Sequence, residues 1–333
     1  MAERDKNIDA LKGFGIILVV VGHSIQTTYP AFDNELLFRI IYSFHMPFFM
    51  FIGGYLMTGV DAPTLVRRFG RLVVPFVAWY VMGALFASVS YQDYFTRIIK
   101  SVDYGLWFLW VLFLCYLVSY FAFKLTKYGG TTIAFLVVFL ALRLIPYNFL
   151  GIGLLQWHYG FFAAGYLVSQ FKQRLRYWHA FIIAFIITAA CAYPIMVSHW
   201  TRLDDAPGKL AVRLWIQTYL TRHWWWLAMA GYDYLTAFLG ITLVWFVVGL
   251  LKRNGWLAYL GSITVGIYAS HFYLLGHGLG DGYVKVFTAA LFAISASVAI
   301  TLGIQQIPIA RGLMLGIWPS NSKEAPARVS RRE

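Results

Sequence analysis

Residues 9–23 read Asp9-Ala10-Leu11-Lys12-Gly13-Phe14-Gly15-Ile16-Ile17-Leu18-Val19-Val20-Val21-Gly22-His23, and the rest of the chain can be read outward from them. The run is apolar or glycine except at three places. Lys12 and His23 stand eleven residues apart, which on a helix is three turns plus about 20°. The two side chains therefore share one face, about 16 Å apart along the axis. A lysine and an imidazole on one stripe of a membrane helix are costly, and by default they mark a site. The ordinary explanations are that Lys12 snorkels to the headgroups or pairs with Asp9 one turn away. His23 alone could simply hydrogen-bond to a neighbouring helix.

The 333 residues are 60% hydrophobic and 12% charged, against about 25% charged in a soluble domain. With 13 Trp, 22 Tyr and 28 Phe, the aromatic load suits interfacial belts. The fold class expected is all-α, a polytopic membrane protein of about ten transmembrane helices. A net charge of +13 could suggest a nucleic-acid partner, but the basic residues fall in short clusters between apolar runs. That pattern is membrane topology, and no nucleic acid is expected. Cys115 and Cys191 lie inside apolar runs without metal-ligand spacing, so neither a disulfide nor a metal site is expected. The run after Lys12 has no convincing cleavage site, so the first segment reads as a retained signal anchor.

A hydrocarbon core needs about 20 apolar residues per helix. Candidate spans fall at 8–29, 36–59, 72–90, 106–123, 131–149, 152–170, 179–197, 233–251, 259–279 and 284–304. The segment 198–232 is too charged to span, and Trp224-Trp225-Trp226 within it reads as an interfacial anchor. With the N-terminus inside, 18 of the 27 Lys and Arg face the cytoplasm, so the N-in and C-in arrangement follows. The expected organisation is a transmembrane domain over 1–318 with an external loop at 198–232. A disordered cytoplasmic tail over 319–333 completes it.

In that orientation His23 lies in the outer half of its span, and His45 on the descending second span reaches a similar depth. The second span also carries Pro47, which bends a helix, and Gly53-Gly54, which admit a close approach. Arg67, Arg68 and Arg71 follow at the inner surface, where guanidinium groups grip phosphates or anionic lipid. Trp107 opens the fourth span. Ser262, Thr264, Tyr268, Ser270 and His271 give the ninth span a polar side. They suit interhelical hydrogen bonds or a polar cavity equally. His158 could be structural or line that cavity.

Taken in order, these elements resemble the integral-membrane acyltransferase-3 family. Asp9 through Lys12 with His23 is similar to its Arg/Lys-x10-His signature. Met46-Pro47 through Gly54-Tyr55-Leu56 resembles its second-span motif, and Arg68-Phe69-Gly70-Arg71 its Arg-x-x-Arg loop. Trp107-Phe108-Leu109 and Leu260-Gly261-Ser262 through Tyr268 and His271 match later landmarks. Gly53 departs from the pattern, since the family often has serine there; Tyr55 and His45 are nearby candidates for that role. The resemblance implies transfer of an acyl group, commonly acetyl, from cytoplasmic acyl-CoA to a hydroxyl of a sugar or glycan at the outer face. The acceptor would be a cell-surface or exported polysaccharide or a lipid-linked sugar. The implied setting is the cytoplasmic (inner) membrane of a bacterium. Lys12, Arg68 and Arg71 would then hold acetyl-CoA. His23 and His45 would carry the chemistry, His23 as general base or acyl relay. Asp9, Gly54, Tyr55, Trp107, Tyr268 and His271 would bind substrate or support the site. A proton-coupled carrier is the second reading, because buried Lys and His suit one. A non-catalytic subunit of a glycan machine is the third.

Overall fold

A computed structural model describes residues 5–85, 96, 102, 105–147, 149–175, 179–202, 225–251 and 254–318. The regular structure of these residues is all helical, without a strand among them. The described residues form twelve α-helices in chain order. They are α1 (Lys6–Thr28), α2 (Leu36–Tyr55), α3 (Ala62–Arg68), α4 (Val74–Leu85), α5 (Trp107–Arg143) and α6 (Ile152–Leu175). Then come α7 (His179–His199), α8 (Trp225–Leu250), α9 (Gly255–Ser262), α10 (Thr264–Ser270), α11 (Gly282–Gln306) and α12 (Pro308–Leu315). Among the described residues, seven segments are long and apolar enough to cross a membrane, so the chain is a polytopic membrane protein.

The differences between these seven and the ten expected spans have local causes. The fourth and fifth expected spans fall together on α5, which is broken at Gly130 with φ 77°. A straight helix would hold Phe123 and Phe135 about 18 Å apart. Their ring centroids lie 5.4 Å apart, so the chain doubles back at Gly130 and α5 is a helical hairpin. The ninth expected span is broken as well, into α9, α10 and a 3-10 turn at His271–Leu274. The sixth lies on α6, whose apolar character is diluted by Gln156, His158 and Ser169. Expected boundaries also shift. α8 begins at Trp225, so the last residues of the expected 198–232 loop, with Trp225 and Trp226, belong to a helix. Residues 203–224 and the expected 319–333 tail lie outside the described residues.

Glycines set the two closest crossings around the first two helices. A Cβ on Gly13 would strike the Leu257 carbonyl oxygen, and one on Gly261 would strike that of Asp9. α1 and α9 therefore meet backbone to backbone. The same reciprocal contact joins Gly54 to the Phe162 carbonyl and Gly165 to the Phe51 carbonyl, locking α2 against α6. Small residues that allow such approach are how membrane helices gain packing contact where water supplies no driving force.

The third expected span starts ten residues early, at α3. Asp61 caps α3 by accepting a hydrogen bond from the Thr64 amide at 2.8 Å. Its hydrogen bonds to Thr64 hold the exposed carboxyl below the usual carboxylate range. A π-helical turn, Phe69–Val73, joins α3 to α4 just before Pro75. Proline has no N–H for the Arg71 carbonyl, and a widened turn absorbs the lost bond. Residues around Trp318 then close over this turn. Trp318 Nε1 donates to the Gly70 carbonyl at 3.0 Å, and Trp79 Nε1 donates to the Met314 carbonyl at 2.8 Å. Cys115 is buried, Cys191 exposed, and both are free thiols.

Candidate functional site

His23 sits on the last full turn but one of α1, where α2 and the α10 end of the broken helix pack against it. Three rings surround its imidazole. Tyr42 meets it edge-on at 6.0 Å, His271 lies at 5.3 Å, and Phe272 at 4.6 Å. Its Nδ1 lies 2.7 Å from Gln26 Oε1 and 3.1 Å from the Tyr42 hydroxyl. The Tyr42 hydroxyl donates to the same Gln26 oxygen at 2.6 Å. One glutamine oxygen thus joins the two side chains.

His271 is fully buried. Its Nδ1 lies 2.7 Å from the Tyr268 carbonyl oxygen and 3.1 Å from that of Ile267, so Nδ1 carries the proton. Nε2 then presents a lone pair, and it has no hydrogen-bond partner. The helix break places it there. Gly261 brings α9 against α1, and the turn after Ser262 and the 3-10 turn carry His271 beside His23.

His45 shares the region without touching His23 ring to ring. It is buried, its Nδ1 lies 2.9 Å from the Ile41 carbonyl, and its ring is 4.5 Å from that of Tyr42. Tyr42 is in ring contact with both histidines expected to converge, and the imidazole in direct ring contact with His23 is His271. Aromatic rings continue the cluster. Phe108 lies 5.8 Å from Tyr268, Trp107 lies 6.4 Å from Phe108, and Trp107 lies 4.8 Å from His158. Tyr268 donates to the Gly105 carbonyl at 2.6 Å, which ties α10 to the chain entering α5.

The cationic residues form separate groups. Lys12 pairs with Asp9 at 2.7 Å, the ordinary reading of that lysine; Asp9 is nearly buried and Lys12 only partly so. Arg68 lies over the Tyr116 ring at 4.4 Å, and the Tyr116 hydroxyl donates to the Gly53 carbonyl at 3.1 Å. Arg71 is exposed on the π-helical turn. Gly54 serves the α2–α6 crossing described above, and Tyr55 packs against Trp245 at 5.1 Å. A cavity of about 260 Å³ opens beside Tyr55, lined by Asp5, Asn7, Leu11, Trp245 and Val248. No group of three or more His, Cys, Asp or Glu among the described residues could hold a metal ion.

Sequence reasoning missed Gln26 and Tyr42. A signal existed for Gln26, a polar residue one turn beyond His23 on the same face. Tyr42 could be placed only once α1 and α2 had docked.

Comparison with known proteins points one way. A family profile described as an acyltransferase domain, that of acyltransferase-3 proteins, matches residues 5–305. The chain is similar to a nodulation protein NolL of Sinorhizobium fredii (strain NBRC 101917 / NGR234). Identity is 33% over 184 residues, covering 50% of this chain and 49% of that protein. It is also similar to a nodulation protein NolL of Mesorhizobium japonicum (strain LMG 29417 / CECT 9101 / MAFF 303099). That identity is 28% over 187 residues, covering 50% and 48% of the two chains. The chain thus aligns with about half the length of these curated relatives. No solved structure matches it.

Proposed function

The chain belongs to the acyltransferase-3 family, and we propose that it moves an acetyl group from acetyl-CoA to a hydroxyl of a cell-surface or exported glycan. The observation that carries this reading is the family match over residues 5–305, within which His23 has its Nδ1 engaged. With Nδ1 engaged, Nε2 is the nitrogen left for chemistry. A neutral imidazole with an ordinary pKa of about 6.5 can take a hydroxyl proton at neutral pH.

In the direct form of the reaction, Nε2 of His23 removes the acceptor hydroxyl's proton as its oxygen attacks the thioester carbonyl carbon. The tetrahedral intermediate expels the CoA thiolate, which takes that proton from His23 and leaves as the thiol. In the relay form, Nε2 attacks the thioester carbonyl carbon and the CoA thiolate leaves; the acyl-imidazolium then passes its acyl group to the hydroxyl, whose proton goes by way of Nε2 to the thiolate. Both forms need the same bare nitrogen.

The proposed topology is the ten-crossing, N-in arrangement in a bacterial cytoplasmic membrane. It places Arg68 and Arg71 at the inner surface for the CoA phosphates, which guanidinium groups bind bidentately. The pantetheine arm would reach toward His23 along the stripe that starts at Lys12, a distance of about 16 Å. Because Lys12 is already paired with Asp9, the arginines carry more of the donor's charge than the lysine does. Tyr268, Trp107 and His271 would line the acceptor side, and His45 would support Tyr42.

The test is mass spectrometry of surface glycans from cells with the intact chain and with His23→Ala, alongside thiol release from labelled acetyl-CoA by purified protein. Loss of an acetyl mass with His23→Ala, in a protein present at normal level, supports the assignment. Full acetylation by His23→Ala removes it. Uptake of a solute by proteoliposomes without acyl transfer would favour the carrier instead.

A further inference from the structure

Catalysis at Nε2 of His23 requires that Nε2 be bare, and nothing in an isolated imidazole chooses which nitrogen keeps the proton. The surroundings of His23 make that choice. The Tyr42 hydroxyl has one hydrogen, and it is directed to Gln26 Oε1 at 2.6 Å. Gln26 Oε1 is an acceptor only, so the 2.7 Å contact to His23 Nδ1 needs a proton on Nδ1. The Tyr42 oxygen, 3.1 Å from Nδ1, has already given its hydrogen away and also presents lone pairs. Two acceptors facing one ring nitrogen hold the proton there.

We propose that Gln26 and Tyr42 are positioning residues that fix His23 with Nδ1 protonated and Nε2 bare. The inference deepens the reading of His23 as the reacting group and rests on it. Each residue is placed for the task by its helix. Gln26 lies one turn beyond His23 on α1, so its amide folds back alongside the ring. Tyr42 reaches across from α2 and is held by stacking on Phe38 at 3.9 Å, with His45 at its other side. The close approach of the two helices is permitted by Gly22, whose missing Cβ would meet the Tyr42 ring at 2.9 Å. The arrangement does what the buried aspartate does for histidine in hydrolase triads, with a neutral oxygen in place of the carboxylate.

A neutral oxygen has a further consequence. A carboxylate at this position would stabilise the imidazolium and hold the proton that His23 must pass on, whereas an amide orients the ring without that attraction. The other titratable groups around His23 are Tyr42, His271 and His45, the last in ring contact with Tyr42. Asp33 and Arg202 pair with each other at 3.6 Å near the start of α2. No carboxylate is seen bonded to His23 among the described residues.

The tautomer can be measured without turnover. In the full chain in detergent micelles, labelled with ¹⁵N-histidine and assigned against His23→Phe, protonated and bare ring nitrogens resonate in separate ranges. The proposal expects Nδ1 of His23 in the protonated range and Nε2 in the bare range at neutral pH. Gln26→Glu should keep that tautomer and move imidazolium formation to higher pH by about one unit or more. Gln26→Leu should release the ring to a mixture of tautomers, and Tyr42→Phe should do so in part while keeping the stacking on Phe38. In thiol release from labelled acetyl-CoA, Gln26→Leu should lower kcat about tenfold or more. The KM for acetyl-CoA should stay the same. Gln26→Glu should shift the acid limb of the pH profile upward. A wild-type ring protonated at Nε2 overturns the proposal, because the amide would then be reversed. A Gln26→Leu spectrum identical to wild type also overturns it, as does a variant whose only change is thermal stability. If Gln26→Leu fails to fold, the wild-type, Gln26→Glu and Tyr42→Phe spectra decide. A protein with the expected tautomer but no acyl transfer would defeat the functional reading and leave the clamp standing.

Discussion

Replacing His271 with leucine should leave the protein at least as stable and much less active. The residue is 0% exposed, and its Nε2 has no partner. A buried acceptor left unsatisfied costs about 1–3 kcal/mol. Leucine removes that cost and is close to imidazole in volume, so little cavity or overpacking follows. The loss on the other side is the Nδ1–H bond to the Tyr268 and Ile267 carbonyls, worth about 1 kcal/mol net. Those carbonyls lie on α10, where Ile267 keeps a helical partner in the His271 amide, so that carbonyl is not stranded by the change. The balance is between zero and about +2 kcal/mol in favour of the variant. Activity should move the opposite way. If substrate donates to the lone pair beside His23, losing that bond costs about 1.5 kcal/mol or more, roughly tenfold in kcat/KM. Thermal unfolding followed by intrinsic fluorescence in detergent gives the first quantity. Labelled acetyl-CoA turnover gives the second. His271→Gln, which can place an amide oxygen near the Nε2 position, should recover part of the activity. A leucine variant that is several kcal/mol less stable yet fully active would refute the reasoning, for the ring would then be packing only.

Three more outcomes follow from the same structure. Gly54→Ala and Gly261→Ala should each be strongly destabilising, because the new Cβ lands on a backbone carbonyl. Gly53→Ser should be tolerated, since the nearest atom to its Cβ is the flexible Leu112 Cδ1 at 2.8 Å; yield and unfolding temperature in detergent compare them. Arg68→Ala, which strips a guanidinium from the Tyr116 ring, should raise the KM for acetyl-CoA about tenfold with kcat nearly unchanged. Equal KM values would remove Arg68 from the donor site. The Asp61 cap should weaken in acid: its folded pKa is depressed, so its contribution is full above the unfolded carboxylate range. It fades as pH falls through the folded value, and faster amide exchange at Thr64 and Leu65 at low pH, matched by Asp61→Ala at neutral pH, would report it.

Much of the bundle was legible because its signal is local. Lengths of apolar sequence gave α1, α2, α7 and α11 to within a few residues, since each is one uninterrupted hydrophobic run. The Gly130 hairpin was legible as two spans although the helix assignment runs through it. A paired glycine between two apolar runs carries the turn in the sequence itself. The break at α9–α10 was not read from residues 259–279, because their small and polar residues suit a packing face of an unbroken helix as well as a break.

The site divides along the same line. Lys12, Asp9 and His23 could be placed on one face from spacing alone, and the Lys12–Asp9 pair was foreseeable at three residues' separation. Convergence of His23 with His45 was argued from depth, but depth does not fix rotation about a helix axis. α2 brings Tyr42 into contact with both histidines, and the broken helix adds His271 in ring contact with His23. That break changes how the polar residues after Ser262 should be weighed. An unbroken helix could satisfy Ser262, Thr264 and Ser270 by bonding back to its own carbonyls, as each does here. Of Ser262, Thr264, Ser270 and His271, it is His271 that keeps a buried polar atom with nothing to bond among the described residues, and it is the one carried against His23. A polar stripe on a membrane helix therefore identifies a candidate face. The residue whose hydrogen bonds the fold fails to complete is the one on that face with capacity left for a substrate.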